Sequence, residues 1–72
     1  MVEIFKTNVT SKKVAGRVLK ALQAQLPAYA FNFDLEDCDR ILRAQTQGMD
    51  IVVSDILNVA KNCKVEIQLF VD

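Results

Sequence analysis

Apolar and polar residues alternate most regularly in two stretches of the chain. In residues 28–35, AYAFNFDL, the alternation predicts a half-buried strand with one apolar face, made of Tyr29, Phe31, Phe33 and Leu35. Residues 64–71, KVEIQLFV, alternate in the same way and predict another strand, with Val65, Ile67, Leu69 and Val71 on one face and Phe70 on the other.

Two further strands are indicated by composition. Residues 2–9, VEIFKTNV, are rich in β-branched and aromatic side chains and predict a first strand, in which the pattern leaves open whether Ile4 or Phe5 faces the core. Residues 40–46, RILRAQT, predict a short strand after the polar turn EDCD at 36–39. We expect it to form an antiparallel hairpin with the strand at 28–35.

Helical spacing follows the first and third strands. After the N-cap residue types Thr10 and Ser11, the apolar residues Val14, Ala15, Val18, Leu19, Leu22 and Leu26 form one stripe, and Pro27 ends the helix. Residues 49–62, MDIVVSDILNVAKN, predict a second helix whose stripe is Met49, Val52, Val53, Ile56, Val59 and Ala60.

The predicted order of elements is therefore β-α-β-β-α-β. Right-handed crossovers in both halves give a ferredoxin-like α+β sandwich, in which two helices cover one face of a four-stranded antiparallel sheet of strand order 4-1-3-2. Residues 1–72 contain no linker or repeat, so a single domain is expected.

The composition excludes several classes of function but does not indicate a particular one. The chain has no histidine, which excludes Ser-His-Asp and Cys-His catalysis, and we expect a non-enzymatic protein without a cofactor. Nine basic residues balance nine acidic ones, so nucleic acid is a poor default partner. No apolar run approaches the length of a membrane span, and EIFK does not suit a signal peptide; a cytoplasmic location without a membrane partner is expected.

The chain has two cysteines, Cys38 and Cys63, at a spacing that matches no common zinc or redox motif. In the predicted topology they flank the first strand from opposite sides, about 10 Å apart. A disulfide needs Cα atoms within about 7 Å, so two reduced thiols are expected. A displaced thiol site for copper or zinc at Cys38 and Cys63 is the alternative.

In the predicted fold, the turn VTSKKV at 9–14 leads directly from the first strand into the first helix. In element order and length the chain resembles the heavy-metal-associated domain of copper chaperones and metal-transporting ATPases. That family binds Cu(I) or a similar soft ion through Met-x-Cys-x-x-Cys in this turn. Here Val9 stands at the position of the Met, and Ser11 and Val14 stand at those of the cysteines. Because a hydroxyl is a poor ligand for a soft ion and valine is none, the resemblance implies a degenerate metal site.

Other chemistry at the same end of the fold is weaker. Thr10, Ser11, Lys12 and Lys13 suggest an anion or partner site at a helix N-terminus, beside the plainer interpretation of a solvated, capped helix start. The acidic hairpin residues Asp34, Glu36, Asp37 and Asp39 suggest a hard-cation site, beside the plainer interpretation of a solvated turn. Tyr29, Phe31 and Phe33 fit core packing better than a base-stacking platform, since no basic residues surround them.

The sheet face away from the helices is the remaining candidate surface. Phe5 and Phe70, on adjacent predicted strands, are expected to form an apolar patch there. The sequence as a whole favours a small regulatory or protein-interaction module. Such a module would bind a protein partner or itself, in the latter case as a homodimer. The alternatives are a soft-metal protein that uses Cys38 and Cys63 and an anion sensor at Thr10 to Lys13.

Overall fold

The computed structural model describes residues 1–70. The elements run in the order β1 (Val2–Thr7), α1 (Lys12–Gln25), β2 (Ala30–Asp34), β3 (Ile41–Gln45), α2 (Val53–Asn62) and β4 (Ile67–Leu69). The four strands form one antiparallel sheet in the order β2-β3-β1-β4, with β2 at one edge. This confirms the ferredoxin-like α+β fold and the strand order.

The core lies between the two helices and one face of the sheet, and Phe5 is at its centre with no exposed surface. Phe5 pairs with Leu42 on β3, and Leu42 pairs with Phe33 on β2. Opposed residues in antiparallel strands point to the same side of a sheet, so these side chains share the helix-covered face. The fully buried side chains of greatest volume are Phe5, Leu22, Leu42, Ile56, Val9 and Val18.

The predicted patch of Phe5 with Phe70 is therefore wrong. Side chains alternate between the faces of a strand, so Lys6 lies on the face away from the helices, where its Nζ is 5.7 Å from the centre of the Phe70 ring. Phe70 is half-buried there, and its backbone N–H donates to the Ile4 carbonyl at 2.8 Å. Phe5 takes the opposite face because it is opposed to Leu42, which is fully buried.

Helix α1 agrees closely with its predicted stripe. Ala15, Val18 and Leu22 are buried, and the flanking stripe residues Val14, Leu19 and Leu26 pack against the core while partly exposed. The helix ends at Gln25, two residues before Pro27. The Leu26 N–H still donates to the Leu22 carbonyl at 2.8 Å, so the last turn closes before the proline.

Helix α2 starts later than predicted, at Val53 rather than at residue 49. Met49 and Val52 precede the helix and are 44% and 48% exposed, so they do not belong to its buried stripe. A local turn replaces the predicted first helical turn. Thr46 is buried and its hydroxyl donates to the Met49 carbonyl, and Gly48 has a φ of 80°. A positive φ is readily adopted by glycine and interrupts a right-handed helix.

Strand β4 is also shorter than predicted. Regular pairing covers Ile67–Leu69, whereas Lys64 has a φ of 61° and breaks the extended backbone at the start of the predicted strand. Val65 is nevertheless buried in the core, and Ile67 packs against it, as the alternation predicts. The predicted position of Val71 lies outside the described residues.

Tyr29 connects the start of β2 to the start of α2. Its ring is buried, and its hydroxyl accepts a hydrogen bond of 2.9 Å from the Val52 N–H. Val52 is the N-cap of α2 and its side chain makes no capping bond; the Tyr29 hydroxyl satisfies the backbone N–H of Val52 itself, one of the N–H groups at the start of the helix that have no partner within it.

Replacing Tyr29 by Phe is expected to lower the free energy of unfolding by about 1 kcal/mol, because the ring still fills the core while the Val52 N–H loses its acceptor. Urea denaturation followed by circular dichroism measures the change as a lower midpoint with an unchanged slope. An unchanged midpoint would contradict a structural role for the hydroxyl.

Candidate functional site

Three connections meet at one end of the sheet, as the topology predicts. The Thr7 N–H donates to the Asp39 carbonyl at 3.2 Å, which joins the end of β1 to the β2–β3 turn. On the other side, Asn8 and Glu66 exchange two bonds: the Asn8 N–H donates to the Glu66 carbonyl at 3.1 Å, and the Glu66 N–H donates to Asn8 Oδ1 at 3.0 Å. The first turn is therefore held between the other two.

The turn from β1 to α1 is occupied by core packing and helix capping. Val9 is buried, and its N–H donates to the Thr7 hydroxyl oxygen at 3.2 Å. Ser11 is the N-cap of α1, and its Oγ accepts a hydrogen bond of 3.1 Å from the Val14 N–H. Thus the three positions that the family motif would fill hold a buried valine, a capping serine and a half-buried valine.

Replacing Ser11 by Ala is expected to cost about 1 kcal/mol of stability, the usual effect of removing an N-cap acceptor. Thr10→Ala is the matched control, because Thr10 is an exposed neighbour with the same hydroxyl and lies one position before the cap. Thermal unfolding of the two variants compares them directly. An equal loss in both would show that Ser11 has no special capping role.

The predicted anion-site residues lie together but differ in environment. Thr10, Lys12 and Lys13 are exposed at the start of α1, and Ser11 already uses its Oγ for the cap. The first turn of α1 contains no acidic residue. Anion binding at Thr10 to Lys13 stays a prediction.

The acidic hairpin forms a turn stabilised by its own side chains. Asp34 Oδ1 accepts from the Glu36 N–H at 3.2 Å, and Asp37 Oδ1 accepts from the Asp39 N–H at 2.9 Å. Asp39 also lies 3.5 Å from Lys6 Nζ. One carboxylate oxygen each of Asp37 and Asp39 and the Cys38 Sγ lie within 4.8 Å of one another. The hydrogen bonds and the ion pair described above already explain why carboxylates occupy this turn.

The two cysteines are free thiols in different surroundings. Cys38 is exposed at the tip of the hairpin, whereas Cys63 is partly buried at the C-cap of α2. The Cys63 carbonyl accepts a hydrogen bond of 3.2 Å from the Arg17 guanidinium, which ties the end of α2 to α1. The expectation of two unpaired thiols agrees with this arrangement, and a shared metal site at Cys38 and Cys63 stays a prediction.

Sequence reasoning missed an apolar groove between α1 and β2. Its volume is about 510 Å³, and it opens beside the sheet edge formed by β2. We call it the α1–β2 groove; its lining residues are Lys12, Ala15, Gly16, Leu19, Asn32, Phe33, Asp34, Leu35 and Glu36. Phe33, Leu35 and Leu19 are only partly buried, so the monomer leaves part of its apolar surface in contact with water here.

Gly16 is the least expected residue in this groove. It lies in the interior of α1, where glycine costs about 1 kcal/mol relative to alanine. A Cβ built at Gly16 meets no atom within 4 Å, so nothing in the described part of the chain requires a glycine there. The signal in the sequence was a lone glycine beside an apolar stripe, together with a strand order that puts β2 at an edge.

No helix within residues 1–70 is long and apolar enough to cross a membrane. Comparison of this chain with protein-family models, with curated proteins and with solved structures gives no match. The fold is therefore established by its own topology, and the resemblance to heavy-metal-associated domains stays a prediction based on element order and the position of the first turn.

Proposed function

We propose that the protein is a small non-catalytic interaction domain with a degenerate metal site, related to heavy-metal-associated domains, that binds a protein partner along the flank formed by α1 and β2. The observation that carries this proposal is the α1–β2 groove beside the edge strand of the sheet. An apolar groove next to an unpaired strand edge offers both side-chain pockets and main-chain hydrogen bonds to a partner.

The composition and the polar contacts support binding rather than catalysis. The chain contains no histidine, the commonest general base. The polar side chains at the end of the sheet near the first turn mostly serve local structure: Ser11 caps α1, Asp37 closes the hairpin and Asp39 pairs with Lys6.

Two further parts of the proposal rest on the turn and on the thiols. Ser11 and Val14 replace the two ligands that a soft metal ion would need, which supports a function other than metal transfer at this turn. Both cysteines are free, which supports a reducing compartment such as the cytoplasm.

A photo-crosslinking amino acid in place of Leu19, introduced in the cells that produce the protein, tests the proposal. Leu19 lines the α1–β2 groove, whereas Asn58 is exposed on α2 and gives the matched control position. We expect a discrete protein adduct from position 19 and only background from position 58; mass spectrometry identifies the adduct as a second copy or another protein. Equal background from both positions would refute a binding function for this flank.

A further inference from the structure

The direction of the free backbone groups on β2 follows from the hydrogen bonds of the neighbouring strands. Met1 and Thr46 exchange two bonds, from the Met1 amino group to the Thr46 carbonyl at 3.0 Å and from the Thr46 N–H to the Met1 carbonyl at 2.9 Å. Bonded and non-bonded pairs alternate along an antiparallel ladder, so Ala44 and Leu42 direct their backbone groups to β1, and Arg43 directs its groups to β2.

Asn32, the partner of Arg43, therefore uses its backbone groups inside the sheet. Phe31 and Phe33 direct their N–H and C=O groups away from β3, to the outer edge of β2. No hydrogen bond within residues 1–70 uses these outward groups. The five residues of β2 also contain no lysine and no proline, two of the residues that commonly protect an edge from pairing.

The sequence of β2, AFNFD, is nearly symmetric about Asn32. If a second β2 lies antiparallel along the outer edge with Asn32 opposite its own copy, Phe31 opposes Phe33 and Phe33 opposes Phe31. These two pairs are the ones whose backbone groups point outward, so both become hydrogen-bonded pairs. Ala30 opposes Asp34, so no like charges face each other in this register.

We propose that a second copy of this chain is the partner, and that it pairs with β2 in this register to join the two sheets into one of eight strands. The two-fold axis passes beside Asn32. This inference rests on the proposed function and deepens it, because it names the partner of the α1–β2 flank and the residue on the symmetry axis.

The α1–β2 groove extends the contact beyond the strand edge. A stable protein interface buries about 800 Å² on each partner, more than a five-residue strand edge supplies alone. The grooves of the two copies face each other across the axis, so the exposed parts of Leu19 and Phe33 become covered. Gly16 leaves open space in the same groove, which suits the close approach of a second chain.

The distribution of charge also suits an antiparallel pair. The acidic residues Asp34 and Glu36 lie toward one end of the groove, at the hairpin. The two-fold axis places the hairpins of the two copies at opposite ends of the interface, which separates their carboxylates. The other end of β2, opposite the partner's Asp34, carries the uncharged Ala30 and its neighbours Ala28 and Tyr29.

A charge swap at Asn32 tests the register. Asn32→Lys and Asn32→Asp each place two like charges opposite one another on the axis, and each is expected to weaken self-association by about tenfold or more. An equimolar mixture of the two variants is expected to restore a dimer, because opposite charges then meet. Gln45→Lys is the matched control: it adds the same charge on the same sheet face, on β3. Sedimentation equilibrium of the full chain measures the dimer dissociation constant in the two Asn32 variants, their mixture and Gln45→Lys, each compared with the wild type.

A wild-type protein that remains a monomer at every concentration would overturn the proposal. So would a dimer that Asn32→Lys leaves intact, or a mixture that fails to restore association. If the crosslinker at position 19 captures a different protein while the wild type stays monomeric, this inference fails and the proposed function stands. Absence of any adduct at position 19 defeats both.

Cysteine crosslinking gives a second measurement that does not depend on charge. Opposed residues in a non-hydrogen-bonded antiparallel pair have Cα atoms about 4.5 Å apart, within the range of a disulfide. With Cys38 and Cys63 changed to Ser, Asn32→Cys is expected to form a disulfide-linked dimer on mild oxidation, and Gln45→Cys is not. Equal crosslinking of the two variants would count against the register.

Discussion

Phe5→Ala is expected to remove about 3–5 kcal/mol from the free energy of unfolding, the usual cost of truncating a fully buried phenylalanine. A chain of 72 residues has a total stability of only about 4–11 kcal/mol at typical values per residue. The variant should therefore unfold at a much lower urea concentration, and if the total stability lies at the lower end of this range, much of the variant is unfolded in buffer.

Phe70→Ala is the matched control for this prediction. Phe70 is a second phenylalanine close to β1, but it is only half-buried and lies on the opposite face of the sheet, against Lys6. Truncating Phe70 should lower the free energy of unfolding by clearly less than truncating Phe5. A loss in Phe5→Ala no greater than that in Phe70→Ala would contradict the assignment of Phe5 to the core.

Two cysteines introduced into the turn between β1 and α1 are expected to give the protein a metal site. Replacing Ser11 and Val14 together by Cys is expected to create stoichiometric Cu(I) binding, because the Ser11 Oγ already lies 3.1 Å from the backbone nitrogen of Val14. A helix N-terminus favours thiolates, which are the ligands that a soft ion prefers. Titration against a competing Cu(I) chelator under reducing conditions measures the affinity.

The background for this titration replaces Cys38 and Cys63 by Ser, so that only the introduced thiols contribute. Ser11→Cys alone is the control and should bind far more weakly. The wild-type chain should not bind stoichiometrically; binding that disappears with Cys38→Ser or Cys63→Ser would instead establish the alternative metal site. Failure of the double cysteine variant to bind would contradict the proposed relation of this turn to the metal-binding turn of the family.

Local periodicity explains the parts of the fold that the sequence predicts well. The alternation in residues 28–35 and the helical stripe of α1 each depend on neighbours a few positions away, so they are visible without tertiary information. The order of these elements then limits the topology to very few arrangements, and the ferredoxin-like sheet follows.

Contacts that leave no periodic signal, most of them long-range, decide the parts of the fold that periodicity leaves open. The first strand has apolar residues on both faces, and the pairing of Phe5 with Leu42 selects the face that is buried. The start of α2 depends on the Thr46 turn and on the Tyr29 hydroxyl, which lies 23 positions before Val52. Neither contact leaves a periodic signal in the sequence.

The candidate site also has one part that the sequence predicts and one part that it does not. The first turn was predictable, because its position follows from element order and its chemistry from Ser11 and Val14. The α1–β2 groove was not, because it exists only where Leu19 on the helix and Phe33 on the strand come together across a gap. The symmetry of AFNFD gains meaning only when β2 is known to be an edge and its outward backbone groups are assigned.

Amide hydrogen exchange at β2 distinguishes a free strand edge from one that is paired with a second copy. In a monomer, the Phe31 and Phe33 N–H groups face solvent at the outer edge of the sheet and should exchange quickly, while the Asn32 N–H is bonded to β3 and should exchange slowly. We predict that raising the protein concentration slows exchange at Phe31 and Phe33 in the wild type, and that Asn32→Lys needs about tenfold or more higher concentration for the same slowing. Equally fast exchange of both amides at every concentration would contradict the use of this edge for self-association.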